Sequence, residues 1–157
     1  KQPMRNVAIL ALISLALTAP VKGAEPGHHL NSVSAFLGVT SEGRRQGAST
    51  LGVEYERRLS EEWFITPAIE HVFGDLDFSI AALTLGYRLN RWAVYAGPGV
   101  EWGKQENDVE TKSEFLFRTG VLYEFEVDDL IVAPHAMVDF VADDIVAVVG
   151  VTVGINF

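Results

Sequence analysis

The stretch Ile145-Val146-Ala147-Val148-Val149-Gly150-Val151-Thr152-Val153-Gly154-Ile155-Asn156-Phe157 decides the fold. Its alternate residues Ile145, Ala147, Val149, Val151, Val153, Ile155 and Phe157 are all apolar. The residues between them, Val146, Val148, Gly150, Thr152, Gly154 and Asn156, turn small or polar toward the end. A strand sends successive side chains to opposite faces, so one face here is unbroken hydrocarbon and the other is small and polar. That asymmetry, ending on an aromatic residue, is the lipid-out, lumen-in pattern of a transmembrane β-strand.

The same reading extends back through the chain. Turn signals at Ser41 to Gly47, Ser60-Glu61-Glu62, Gly74-Asp75, Asn90-Arg91, Gln105 to Lys112, Asp128-Asp129 and Asp143-Asp144 cut it into eight segments of strand length. These run at about His29–Thr40, Ala48–Arg58, Trp63–Phe73, Asp77–Leu89, Trp92–Lys104, Ser113–Val127 and Leu130–Val141, with the last ending at Phe157. Alternation predicts Leu51, Val53 and Tyr55 opposite Gly52, Glu54 and Glu56, and Leu83, Leu85, Tyr87 and Leu89 opposite Ala82, Thr84, Gly86 and Arg88. The first and third segments alternate less clearly; Val33, Ala35, Leu37 and Val39 read outward, with Trp63, Ile65, Pro67, Ile69, His71 and Phe73. Short polar turns imply up-and-down antiparallel connections.

A bilayer offers no water to backbone amides, so a spanning sheet must close on itself and leave no edge. The fold expected is an all-β, eight-stranded antiparallel up-and-down transmembrane β-barrel. Pro67, Pro98 and Pro134 each lack an amide donor, which predicts bulges or local strain in the ladder. Trp63, Trp92, Tyr87, Tyr55, Tyr123, Phe125 and Phe157 fall near one rim, and Trp102, Phe73, Phe115 and Phe140 near the other. Aromatic girdles bracketing an apolar band mark membrane interfaces, with Trp63, Trp92, Trp102 and Phe157 as the expected anchors. A soluble eight-stranded carrier is the competing fold, with Glu54, Glu56, Arg88, Glu101, Arg118, Glu124 and Asp139 on a solvated outer face; the export signal, the girdles and Phe157 speak against it.

The amino terminus reads as that export signal. Lys1 and Arg5 precede an apolar run from Val7 to Ala19, too short to span as a helix, which needs about 20 residues. Pro20 ends the run and small residues follow, which divides the chain into a cleaved signal peptide at 1–23 and a barrel domain at 24–157. Removing Lys1, Arg5 and Lys22 takes the net charge from −9 to −12. An acidic chain lacks the clustered cations that nucleic acid requires, so no nucleic-acid partner is expected. With no cysteine, disulfides and thiolate metal sites are excluded.

With these features in place, the chain resembles the small eight-stranded outer-membrane barrels of Gram-negative bacteria, of the outer-membrane protein X and outer-membrane protein A barrel type. The resemblance spans everything after the signal and rests on the strand count, the girdles and the ending Gly150 to Phe157. Tyr95-Ala96-Gly97-Pro98-Gly99-Val100-Glu101 and Phe117 to Phe125 look like segments of uncharacterised porin-like barrels. The resemblance implies an outer-membrane location reached through the periplasm. It also implies contact with outer-membrane lipids and lipopolysaccharide, and recognition of the carboxyl terminus by the barrel-insertion machinery.

An eight-stranded barrel has an interior that side chains just fill. Charges facing it must pair with one another, since an isolated buried charge is costly. With the termini on the periplasmic side, Glu70, Glu101, Arg118 and Asp139 fall in the outer half of the lumen and His135 near its middle. Glu54, Glu56, Arg58, Arg88, Glu124 and Glu126 fall in the inner half. The expectation is a structural polar plug drawn from Glu54, Glu56, Arg88, Glu101, Arg118, Glu124, His135 and Asp139; crowded carboxylates also suggest a proton or cation site. His28-His29 point to opposite faces and make a poor chelate, so no metal site or cofactor is expected. Asp75, Asp77, Glu106, Asp108, Glu110, Asp143 and Asp144, against Arg44, Arg45 and Lys112, give the outward loops an acidic rim.

Among small barrels, some modify lipid A. Resemblance to the lipid A deacylase would require a His and a Ser together on the lipid-facing side near the outer rim. His71 faces outward there, but no Ser sits beside it in the sequence, and His135-Ala136-Met137 has none two positions on. A lipid A palmitoyltransferase uses Ser and His in its outer loops, and these loops lack His. The reading is therefore a monomeric, non-enzymatic barrel with a structural or surface-interaction role. A narrow channel for small solutes or ions is the alternative, followed by a lipid A-modifying enzyme.

Overall fold

The computed structural model describes residues 31–42, 47–74, 76–104, 111–127, 130–142 and 144–157. The strands are β1 (Asn31–Glu42), β2 (Ala48–Arg58), β3 (Trp63–Val72), β4 (Phe78–Leu89), β5 (Trp92–Lys104), β6 (Thr111–Tyr123), β7 (Phe125–Val127), β8 (Leu130–Val141) and β9 (Asp144–Asn156). β6 and β7 are one stave interrupted at Glu124. Both pair with β8, and the register is the same on either side of the break. Each stave pairs antiparallel with the staves next to it in sequence, and β1 pairs with β9 from Ser32↔Asn156 to Glu42↔Val146. The sheet closes as an all-β barrel of eight antiparallel staves, as the alternation predicts. Asn31 and Phe157 complete the seam by exchanging backbone hydrogen bonds, Phe157 N donating to Asn31 O at 2.8 Å and Asn31 N to Phe157 O at 3.2 Å.

The expected bulges at the three prolines do not form. Pairing lapses instead over two residue pairs on one side of each proline and resumes in the same register. Between β2 and β3 it stops at Glu54↔Ala68 and returns at Arg57↔Ile65, flanking Pro67. Between β4 and β5 it stops at Ala82↔Gly99 and returns at Leu85↔Ala96, flanking Pro98. Between β6–β7 and β8 it stops at Leu122↔His135 and returns at Phe125↔Val132, flanking Pro134. The opposite side of each proline pairs without a gap, at Pro67↔Leu83, Pro98↔Phe117 and Pro134↔Val151. A strand residue aims its amide at one neighbour only, so proline removes a donor from one ladder while its fixed φ still suits an extended chain. No extra residue is needed, and closure pins the register on both sides.

The burial pattern places the faces where the period-two reading puts them. Val33, Leu37, Leu51, Val53, Ile69, Leu85, Val94, Phe117, Phe140, Val149 and Val153 are exposed on the outer wall. Phe36, Phe64, Ile80, Leu116, Met137 and Val148 are buried inside. A soluble barrel would put polar side chains on this outer wall; here it is apolar while Glu70, Arg118 and Asp139 are buried inside, so the outer wall is built for lipid.

Large rings fit inside because glycines face them. A Cβ on Gly86 would fall onto the Phe64 ring, one on Gly120 onto the Tyr95 ring, and one on Gly38 or Gly150 onto the Phe36 ring. Phe64 is 2 % exposed and has the Arg88 guanidinium 5.0 Å over its face, so the ring has nowhere to retreat. We predict that Gly86→Val lowers stability by about 1–3 kcal/mol, the cost of overpacking a filled interior. The same change at outward-facing Ala81 should cost little. Urea unfolding midpoints in lipid vesicles would measure both, and equal midpoints would show that the Phe64 ring yields freely.

Candidate functional site

The lumen carries three polar layers. In the outer layer, Arg118 on β6 stands directly opposite Asp139 on β8. Its Nε donates to Asp139 Oδ1 at 2.7 Å and its Nη2 to Oδ2 at 2.8 Å. The same guanidinium reaches across to β3, where Nη2 donates to Glu70 Oε2 at 3.0 Å and Nη1 pairs with Glu70 Oε1. Arg118 is 2 % exposed, Glu70 1 % and Asp139 0 %, so one cation answers two fully buried carboxylates. The planar fork of Arg suits this double bidentate pairing.

The middle layer centres on His135 and Glu54. His135 on β8 lies between two hydroxyls, Tyr95 Oη at 3.2 Å from Nδ1 and Thr152 Oγ1 at 2.8 Å from Nε2. Thr152 Oγ1 also lies 3.4 Å from Glu54 Oε2, to which it can donate. In the inner layer, Arg88 Nη2 donates to both oxygens of Glu56 at 3.1 Å and to Glu124 Oε1 at 2.5 Å, and Arg58 lies 3.6 Å from Glu56. A cavity of about 50 Å³ lies between the inner and outer layers, bounded by Glu54, Thr84, Tyr95, Arg118, His135 and Thr152 among others. At about 10–15 Å³ of such space per water, it holds a few waters at most.

Seven of the eight lumen residues named from sequence thus lie in these layers. Glu101 stands apart toward the outer mouth, opposite Glu114 across the β5–β6 ladder, and makes no ion pair among the described residues. Glu70, outside the core set of eight but placed in the outer half by its phase, is the second anchor of Arg118. At the inner rim, exposed Trp63 packs edge-on to Tyr87 at 5.0 Å, Trp92 to Tyr123 at 4.9 Å, and Phe157 lies 6.5 Å from Tyr55. Trp102, half-buried, is opposite Ser79 and Ser113 near the outer rim. The expected signal at 1–23, the expected start of the barrel domain at 24–30, and His28, His29, Arg44, Arg45, Asp75, Glu106, Asp108, Glu110 and Asp143 lie outside the described residues. Among the described residues no cluster of His, Asp and Glu is arranged to hold a metal ion.

The outer rim also holds a contact that linear spacing did not reveal. His71 faces outward, and its Nδ1 lies 2.9 Å from Ser79 Oγ, the residue directly across the β3–β4 ladder. Its Nε2 lies 3.5 Å from Asp77 Oδ1. Ser79 is eight positions away in the chain and is brought opposite His71 by the register of the β3–β4 pair; Asp77, six positions away, lies just before β4.

No protein-family model and no curated protein matches the chain. Solved structures do. The N-terminal β-barrel domain of Pseudomonas aeruginosa OprF aligns with a TM-score of 0.61 at 14 % identity, covering 80 % of this chain and 97 % of that one. The Yersinia pestis outer-membrane protein Ail in a phospholipid bilayer nanodisc aligns with a TM-score of 0.51 at 13 % identity, covering 81 % and 99 %. Ail in complex with the heparin analogue sucrose octasulfate gives 0.50 at 14 %, covering 81 % and 96 %. At these identities the likeness establishes the fold, that of the small eight-stranded outer-membrane barrels.

Proposed function

We propose that this chain is a monomeric outer-membrane β-barrel protein of a Gram-negative bacterium whose lumen is a packed structural plug, and that it works through its surface rather than as a conduit. The observation that carries this reading is the Arg118–Glu70–Asp139 layer, a fully buried cross-link from one wall of the lumen to the other. A permeating ion would have to displace a guanidinium that holds four charge-assisted bonds, and the cavity beneath it has room only for water. The apolar outer wall between two aromatic rims supports contact with outer-membrane lipids and lipopolysaccharide.

Planar-bilayer recording on the refolded, purified barrel tests the reading. We expect no discrete conductance steps at either polarity. Reproducible cation-selective steps would overturn it in favour of a narrow channel. Such steps would be expected to change when Arg118 or Glu70 is substituted, which would distinguish them from leak caused by detergent.

A further inference from the structure

In the lumen, Glu56 and Glu124 share Arg88, and Glu70 and Asp139 share Arg118. Glu54 touches no cation among the described residues. Its hydrogen-bond contact is the Thr152 hydroxyl, at 3.4 Å. Neither basic group beside it is free to turn toward it. Arg118 borders the same cavity, but its Nε, Nη1 and Nη2 are all engaged by Glu70 and Asp139. His135 has one ring nitrogen against Tyr95 and the other against Thr152. A carboxylate held inside a barrel without an opposite charge is costly.

The wall that carries Glu54 is lined with oxygen. β1 to β4 present Ser32, Ser34, Glu54, Thr66 and Thr84 to the cavity. Ser34 is directly opposite Glu54 across the β1–β2 ladder, and Thr66 is directly opposite Thr84 across the β3–β4 ladder. Ser32 is 6 % exposed and borders the cavity, yet its hydroxyl bonds to no other described residue. A buried hydroxyl without a partner costs free energy unless something in the cavity answers it. The unbalanced carboxylate and the unanswered hydroxyl thus face one small space.

We propose that this wall binds a single alkali-metal cation, Na⁺ or K⁺, with Glu54 as the charged ligand and Ser32 and Ser34 among the neutral ones. Hard cations take oxygen ligands, and an ion of water-like size fits a cavity of about 50 Å³. One carboxylate balances one positive charge. A divalent ion would call for more carboxylate, and no cluster of His, Asp and Glu among the described residues supplies it. The site departs from the expectation that no metal is bound and goes beyond the plug reading. It lies beneath the Arg118 layer, so a cation held there does not cross the barrel. Entry is from the inner side. The side chains of Arg88, Glu56 and Glu124 are 10 %, 16 % and 17 % exposed there, while those of Arg118, Glu70 and Asp139 shut the outer side at 2 %, 0 % and 0 %.

The test is equilibrium urea unfolding of the full barrel in zwitterionic phospholipid vesicles, at fixed ionic strength, with NaCl or KCl exchanged for choline chloride. Choline is too large for the cavity. Folding of each variant is confirmed by its heat-modifiable gel migration. A cation bound only by the folded barrel multiplies the folding equilibrium constant by one plus the ratio of its concentration to its dissociation constant. That constant should rise with Na⁺ or K⁺, approaching about tenfold per tenfold rise in concentration as the site fills. Glu54→Gln should fold and lose the dependence, because the charged ligand and the unbalanced charge go together. Ser32→Ala should keep the dependence but need more of the cation. Glu62→Gln, an exposed carboxylate in the turn before β3, should behave as the wild type. Stabilisation by neither Na⁺ nor K⁺ beyond choline would overturn the proposal, as would a Glu54→Gln barrel that keeps the wild-type dependence. Infrared spectra in NaCl test the rival occupant. A carboxylic-acid band present in the wild type and missing from Glu54→Gln would show that a proton neutralises Glu54, and would overturn the cation site.

Discussion

Arg118→Ala is expected to destabilise the barrel by about 3–5 kcal/mol, the usual cost of removing one member of a buried ion pair. The loss has two parts. The guanidinium bonds to Asp139 and Glu70 disappear. Two buried carboxylates, 0 % and 1 % exposed, are then left without the cation that paired them. The second part is the larger, because an uncompensated buried charge costs more than a paired one returns. A control follows from this partition. Combining Arg118→Met with Glu70→Gln and Asp139→Asn removes the charges together and should recover much of the loss. Equilibrium urea unfolding in vesicles, followed by the fluorescence of the three tryptophans, would measure both variants. If Arg118→Ala unfolds at the wild-type midpoint, the outer layer is not the structural plug described above.

Val151→Arg is expected to cost about 2–4 kcal/mol, the range for a cation on the lipid face near the bilayer midplane. Val151 lies in the middle of β9, between Leu37 on β1 and Pro134 on β8, with exposed Val149 and Val153 on its own face. Thr152→Arg, one residue on, tests the opposite face. Thr152 is 5 % exposed and sits 2.8 Å from His135 and 3.4 Å from Glu54. An arginine there meets a carboxylate but lacks space, so the penalty should come from crowding, about 1–3 kcal/mol. The two should also respond differently to bilayer thickness. A thinner bilayer brings the interface nearer Val151 and should relieve its penalty, while Thr152→Arg should be indifferent. Equal behaviour in both bilayers would mean that the faces of β9 are misassigned.

The sequence by itself determined the faces, the staves and the rims, because each follows from local spacing. A period of two says which side of its own strand Val151 or Thr152 occupies, whatever that strand pairs with. Turn residues such as Asn90-Arg91 end one strand and begin the next; Asn90 supplies the positive φ, at 59°, that a tight hairpin needs. Closure also follows from sequence, given the lipid-facing alternation, since an open edge in a bilayer would leave amides unsatisfied.

Which side chains meet was decided only by the tertiary structure, because that depends on the register between strands and on the width of the closed barrel. Phase alone places Glu70, Glu101, Arg118 and Asp139 in the same half of the lumen. Register sets Asp139 beside Arg118, the span of the lumen brings Glu70 to the same guanidinium, and Glu101 is left opposite Glu114. Gly86 beneath Phe64 and Gly120 beneath Tyr95 are likewise matches between neighbouring strands. The prolines show the same division: the missing donor is legible in the chain, but a bulge was avoided because pairing on both sides of each proline holds the ladder in one register. His71 and Ser79 are separate letters in the sequence; the antiparallel β3–β4 pair sets them directly opposite and within a hydrogen bond of one another.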